Sequence, residues 1–182
     1  LSGLILALPY LPENSSIEST SGFLEPYIHL TISTASFFKA RYQIFENTIK
    51  LKERSIYQGR EIAIEKDYAA AANWLVASYF HRELVVQGLN PESIQADALI
   101  LPILRKLGLE YSSSTYQSGK IRSAKIDVSK TPDLFPILAS LASLGDGTVI
   151  ITGLDKLKYK ESNRLEGMVV GLNRLGAKIT KN

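Results

Sequence analysis

No cysteine occurs among the 182 residues, which excludes a disulfide framework, thiolate metal sites and cysteine nucleophiles. His29 and His81 are the only histidines. That is too little material for a histidine-built zinc site or a Ser-His-Asp triad. Charge of one sign is also scarce. The formal net charge of +3 suits attraction of anionic small molecules, but it falls short of the concentrated basic stripe expected of a nucleic-acid binder. Long hydrophobic runs are missing too. The opening stretch Leu1-Ser-Gly-Leu-Ile-Leu-Ala-Leu-Pro9 is apolar, yet it lacks a basic leader and is far too short to span a bilayer. It reads as part of a helix in a larger protein, and the chain as a soluble, cytoplasmic fragment. What is present is globular in composition, with 45% hydrophobic and 21% charged residues.

An internal repeat organises the chain. Gly22, Gly88 and Gly153 are spaced 66 and 65 positions apart, each after a β-rich segment and before a helix-like run. Leu84-Val-Val-Gln-Gly88-Leu89 aligns with Val149-Ile-Ile-Thr-Gly153-Leu154, and Arg105-Lys-Leu-Gly108 with Asn173-Arg-Leu-Gly176. A unit of this size cannot bury its own faces, so neighbouring copies must pack together. Within a unit, Ile62-Ala-Ile64 and Ile126-Asp-Val128 alternate as half-buried strands do. Residues 67 to about 81 are alanine-rich and read as a helix. A second helix is expected over 132–144, with Thr131 as N-cap and Pro132 at its first position. Further helices are expected over 92–107 and 161–175, closed by Gly108 and Gly176, and Asp146-Gly147 reads as a turn. The 132–144 helix is nearly apolar all round and belongs inside, whereas the strands show one wet face. The predicted architecture is therefore α/β with helices inside and sheets outside, the reverse of the usual arrangement.

The richest chemistry lies in Lys156-Leu-Lys-Tyr-Lys-Glu-Ser-Asn-Arg164. Extended backbone over 156–160 would project three lysines to one side. Glu161 would then open a helix, with Arg164 three residues on along the same face. Cations beside a helix start make a pocket for phosphate or carboxylate with one carboxyl group inside it. The competing reading is a solvated basic turn, with Glu161 an ordinary first-turn acid. A shift of 65 carries Gln95, Ala96 and Leu99 onto Lys160, Glu161 and Arg164. The charges thus belong to one copy only, as a site grafted on a scaffold would. Asp133 stands in the first turn of the apolar helix, as a base aimed at a cleft or as a complement to the helix dipole. Asp67, at the matching position of the preceding copy, reads as structural. The His81-Arg82 pair reads as cations satisfying helix-end carbonyls. Tyr27, after Pro26, starts the helix containing His29, as core or cleft lining, and Trp74 reads as core. Neither a P-loop nor a dinucleotide fingerprint is present.

Lys158-Tyr-Lys-Glu-Ser-Asn-Arg164-Leu, with Leu172-Asn-Arg-Leu-Gly-Ala177 after it, resembles the signature of the 5-enolpyruvylshikimate-3-phosphate synthase family. Thr131-Pro-Asp133 resembles that family's catalytic aspartate segment, and Ile64-Glu-Lys-Asp67-Tyr-Ala-Ala-Ala its domain-crossing strand and helix. Gln95-Ala-Asp97 and Pro26-Tyr-Ile28 fit in the same order. The resemblance implies repeated βαβαββ units with inward-packed helices. Residues 1–64 would be part of one lobe, and 65–182 most of two repeat units of the other. It implies transfer of the enolpyruvyl group of phosphoenolpyruvate to the 5-hydroxyl of shikimate 3-phosphate, a step of aromatic amino acid biosynthesis.

By that resemblance Asp133 binds the shikimate hydroxyls and accepts a proton, and Lys160 contacts shikimate 3-phosphate. Glu161 handles the proton at the methylene carbon of phosphoenolpyruvate, Arg164 holds that substrate's phosphate or carboxylate, and Lys156 and Tyr27 line the substrate site. No metal or organic cofactor, nucleic acid or membrane partner is implied, and the full-length enzyme is expected to be a monomer. Leu24 stands where the family usually has serine, and Lys156 where an asparagine is often found. The family's Ser-Ser-Gln motif and its terminal Arg and Lys segments lie outside the chain. The chain thus reads as the middle of an enzyme, inactive by itself. Two rival readings are the related UDP-N-acetylglucosamine enolpyruvyl transferase and a non-catalytic α/β module binding RNA through Tyr42, Phe45 and Tyr57.

Overall fold

A computed structural model describes residues 1–20, 25–53, 56–81, 83–112, 115–117 and 120–181. Gly22, Leu24 and Arg82, singled out above, lie outside the described residues. The chain divides into two compact units, Leu1–Ile64 and Glu65–Asn182.

In the first unit, helices α1 (Ser2–Ala7) and α2 (Pro26–Phe37) accompany an antiparallel sheet of β1 (Ser16–Glu18), β2 (Tyr42–Phe45) and β3 (Thr48–Leu51) in the order β1-β3-β2. Its core is Ile5, Ile28 and Ile49, with Ile17, Ile32 and Tyr42 packed against it. The last carbonyls of a helix have no partner within it. Here Tyr42 Oη donates to Ile5 O at 3.0 Å, beside the bond that oxygen accepts from Leu8 N, and Tyr57 Oη donates to Leu6 O at 2.9 Å. Two of the three aromatics that an RNA-binding sheet would need are therefore tied to helix α1. The remaining one, Phe45, lies under Lys50 Nζ at 5.1 Å.

The second unit holds α3 (Tyr68–Phe80), α4 (Ile100–Lys106), the hairpin β4 (Glu110–Ser112) and β5 (Thr115–Gln117), β6 (Ala124–Asp127), α5 (Phe135–Ser143), β7 (Val149–Thr152) and α6 (Arg164–Arg174). The protein is thus mixed α/β with small sheets. Alanine-rich sequence favours α3, and Asp67 caps it by accepting from Ala69 N at 2.8 Å. Helix α5 has no exposed residue, as its composition requires. Phe135, Leu138 and Leu141 join Leu75, Leu104 and Ile126 in one core. Strand β6 buries Ile126 and exposes Lys125 and Asp127. Helices α4 and α6 end alike. Gly108 (φ +87) and Gly176 (φ +100) follow their last turns. Leu109 N reaches Leu104 O and Ala177 N reaches Leu172 O, at 2.9 and 3.0 Å. A bond closing the helix end in this way needs a left-handed residue, which glycine adopts without strain.

Several expectations are corrected. Ile62-Ala-Ile64 forms no strand: no strand pairs with it among the described residues, and Ile64 is 89% exposed. Leu84–Gln87 is likewise not a strand. The helix expected from 92 begins as a 3-10 turn at Ala96–Leu99, because Asn90, Ser93 and Gln95 just before it are held by Glu65. Thr131 precedes a 3-10 turn (Pro132–Leu134) rather than α-helix, and its hydroxyl does not cap it. Trp74 is 60% exposed. Ala71, Ala72, Leu75 and Val76 occupy the buried face of α3, which turns position 74 outward. Among the described residues no helix is long and apolar enough to cross a membrane.

Candidate functional site

Strands β6 and β7 run parallel, with Asp127 opposite Thr152. Their carboxyl ends therefore lie side by side, and the loops leaving them emerge at one edge, where open α/β sheets place ligands. The loop after β6 carries Asp133 and the loop after β7 carries Lys160, Glu161 and Arg164. Asp127 Oδ1 accepts from Ser129 N at 2.9 Å, a local turn that starts the first loop. Thr131 N to Val128 O (3.0 Å) and Leu134 N to Thr131 O (3.1 Å) carry it into the 3-10 turn bearing Asp133.

The second loop departs from expectation. Residues Asp155–Tyr159 form a 3-10 helix, not an extended strand, because Leu157 is fully buried and draws the chain inward. With about three residues per turn, Lys156 and Lys158 point in different directions. Lys158 lies over the Tyr159 ring instead, and Lys156 stands exposed on the turn leading to the cluster. Helix α6 begins at Arg164, not Glu161, with Asn163 as the N-cap accepting from Glu166 N at 3.2 Å. Glu161 precedes that cap.

Four side chains nonetheless meet. Lys160 Nζ lies 3.1 Å from Asp133 Oδ1, and Arg164 Nη1 lies 2.7 Å from the same oxygen. The second guanidinium nitrogen reaches Glu161 Oε2 at 2.8 Å. Asp133, Lys160 and Arg164 are each about one-third exposed (32, 30 and 29%), whereas Glu161 is 80% exposed. An arginine at the first position of a helix opposes the helix dipole. Here the two carboxylates hold it there. The Glu161 carboxyl is kept below the ordinary carboxylate range, first by its own backbone N–H and then by Arg164. Arg164 is raised in turn, chiefly by its bond to Glu161. The cluster is therefore a lattice of two basic and two acidic side chains, open to solvent on the Glu161 side.

The repeat-related position is neutral. Gln95, which Lys160 matches, donates to Glu65 Oε1 and Lys66 O at 2.9 Å and accepts from Tyr68 N at 2.9 Å. One copy uses this position to anchor a helix start; the other presents a charge to a carboxylate. Tyr27 belongs to the first unit, in the opening turn of α2, where its carbonyl accepts from Thr31 Oγ1. Sequence reasoning left Asp97 without a role, although it is buried in the 3-10 turn before α4 and accepts from Thr131 Oγ1, two residues from Asp133. Nothing local in the sequence pairs them.

The family model for EPSP synthase (3-phosphoshikimate 1-carboxyvinyltransferase) matches residues 1–182. A 3-phosphoshikimate 1-carboxyvinyltransferase of Clostridium acetobutylicum is 34% identical over 190 residues, covering 100% of this chain and 43% of that relative. A protein of the same name from Methanocorpusculum labreanum is 30% identical, covering 100% of this chain and 44% of its own length. Another from Pyrococcus furiosus is 32% identical, covering 90% and 41%. The chain spans less than half the length of these curated relatives.

Proposed function

Because this chain belongs to the EPSP synthase family, we propose that the protein containing it transfers the enolpyruvyl group of phosphoenolpyruvate to the 5-hydroxyl of shikimate 3-phosphate. In this reading residues 1–64 are part of one lobe and 65–182 most of two inside-out repeat units of the other. The buried helix α5, the exposed face of β6 and the matching caps of α4 and α6 support it. The reaction is cytoplasmic, the whole protein acts as a monomer, and the chain alone is inactive.

The observation that carries the reading is Asp133 held between Lys160 and Arg164 at the carboxyl ends of β6 and β7. Asp133 accepts hydrogen bonds from the shikimate hydroxyls and takes the 5-hydroxyl proton as its oxygen bonds to C2 of phosphoenolpyruvate. A proton delivered to the methylene carbon makes it a methyl group. Loss of a methyl proton then expels phosphate and restores the double bond. One acid–base pair has to act in both directions. Lys160 and Arg164 hold anionic substrate groups and stabilise charge as it moves.

Glu161 is ionised in the lattice described above. A substrate anion that draws Arg164 away removes part of what depresses the Glu161 pKa and moves it upward, while the bond to that residue's own backbone N–H remains. Catalysis across two lobes depends on orientation and exclusion of water, which is why the chain alone is read as inactive.

The test is calorimetric titration of the whole protein with shikimate 3-phosphate and, separately, with UDP-N-acetylglucosamine. The reading expects binding of the first and none of the second. The opposite result overturns it in favour of the related transferase.

A further inference from the structure

Thr131 occupies the place where a threonine ordinarily caps a helix by accepting from a backbone N–H of the first turn. It does not do so here. Its side chain is wholly buried, its backbone sits at φ −145, ψ 58, and its hydroxyl donates to Asp97 Oδ1 at 2.5 Å across 34 positions. Asp97 is itself 6% exposed, in the turn before α4. A buried carboxylate is costly unless its hydrogen bonds are made, so this pair is held firmly from both sides. Between Thr131 and Asp133 stands only Pro132, which is buried and has its φ restricted by its ring. A fixed Thr131 therefore fixes the direction in which Asp133 leaves the turn. The Thr131 carbonyl also closes that turn by accepting from Leu134 N.

We infer that Asp97 and Thr131 are positioning residues for Asp133, a buried hydrogen bond that aims the carboxylate at the substrate hydroxyl without touching substrate. The inference rests on the proposed role of Asp133. A displacement of the order of an ångström at a reacting group costs roughly a hundredfold in rate, so a tether on the neighbouring residue acts on turnover more than on substrate affinity.

The experiment uses the whole protein and four variants: Thr131→Val, which keeps shape and removes the hydroxyl; Thr131→Ser, which keeps the hydroxyl; Asp133→Asn; and the Thr131→Val/Asp133→Asn double variant. Turnover is normalised to the folded fraction measured by circular dichroism. The expectation for Thr131→Val is a kcat lower by roughly ten- to a hundredfold, KM for phosphoenolpyruvate within about twofold, and recovery in Thr131→Ser. In the Asp133→Asn background, Thr131→Val should cost almost nothing more, because its effect passes through Asp133. A normal kcat for folded Thr131→Val, or additive losses in the double variant, overturns the inference while leaving the role of Asp133 standing. Full turnover in Asp133→Asn overturns the role of Asp133, and the inference with it.

Discussion

Arg164 Nη1 and Asp133 Oδ1 lie 2.7 Å apart although 31 positions separate them in the chain, and Arg164 Nη2 simultaneously holds Glu161. The parallel pairing of β6 and β7 produces this meeting, since it delivers both loops to the same edge. The lattice also sets a condition on binding. Any anion that takes Arg164 must compete with two carboxylates already in place.

Replacing Arg164 by methionine removes a bidentate cation, and charge-assisted hydrogen bonds contribute about 1.5–3 kcal/mol each. Affinity for inorganic phosphate should fall by roughly tenfold or more, read by calorimetric titration at fixed ionic strength. Arg164→Lys should recover only part of it, because an ammonium cannot span both carboxylates as the guanidinium fork does. Unchanged phosphate affinity in Arg164→Met would place the anion site elsewhere.

Glu161→Gln keeps shape and most hydrogen bonding but loses charge and proton capacity. In the whole protein, kcat should fall by about a hundredfold or more, with affinity for shikimate 3-phosphate nearly unchanged. Steady-state kinetics beside a binding titration separates the two. Wild-type turnover would make Glu161 a mere support for Arg164.

Spacing already groups Lys160, Glu161 and Arg164, partly for the wrong local reason, whereas Asp133 is tied to them only by the family resemblance. Lys160 and Arg164 lie close enough in sequence that either an extended or a 3-10 path brings them to one edge. The reading of 156–160 as strand therefore misplaced Lys156 and Lys158 without misplacing Lys160. What decides the path is Leu157, whose burial depends on the core of the second unit, a tertiary fact that no local pattern carries. The same holds for Ile62–Ile64: alternation records a preference for a pleated, half-covered surface, but pairing requires a neighbour. Asp67 is legible as a structural acid because a helix start is a local feature, and its bond from Ala69 N makes that role an N-cap. The Thr131–Asp97 bond is not legible, because its partner lies 34 positions away.

Glu65, the first residue of the second unit, offers a pH test. Its carboxylate accepts from Gln95 Nε2, Asn90 Nδ2 and Ser93 Oγ at 2.9, 3.0 and 2.9 Å. These bonds, Gln95 first, hold its pKa below the ordinary value of 4.5. A depressed carboxylate favours the folded state above its unfolded pKa, and the contribution is lost as pH falls through the folded value. Carboxyl carbon NMR should find the Glu65 midpoint below 4.5, and Gln95→Ala should move it upward. A midpoint unmoved by Gln95→Ala would mean that Asn90 and Ser93 hold the carboxylate alone.

Two glycines separate backbone demand from helix propensity. Gly153 ends β7 at φ +80, and a Cβ there would stand 2.4 Å from both Asp127 Oδ1 and Ser129 N, the two partners of the turn that starts the Asp133 loop. Alanine pays twice, once for the left-handed backbone at roughly 1–2 kcal/mol and again for a clash with backbone that has no room to retreat. Gly153→Ala should lose more than about 2 kcal/mol, lowering the melting temperature by several degrees at roughly 2–4 °C per kcal/mol. By shifting the junction between the strands, it should also weaken phosphate binding. Gly167, in the interior of α6, has nothing within 4 Å of the same position. Gly167→Ala should therefore stabilise the protein by about 0.5–1 kcal/mol through helix propensity alone, with phosphate affinity unchanged. Thermal unfolding and phosphate titration of the two variants side by side read both effects. If Gly153→Ala melted with the wild type and bound phosphate as tightly, the strand ends would not be what holds the two loops together.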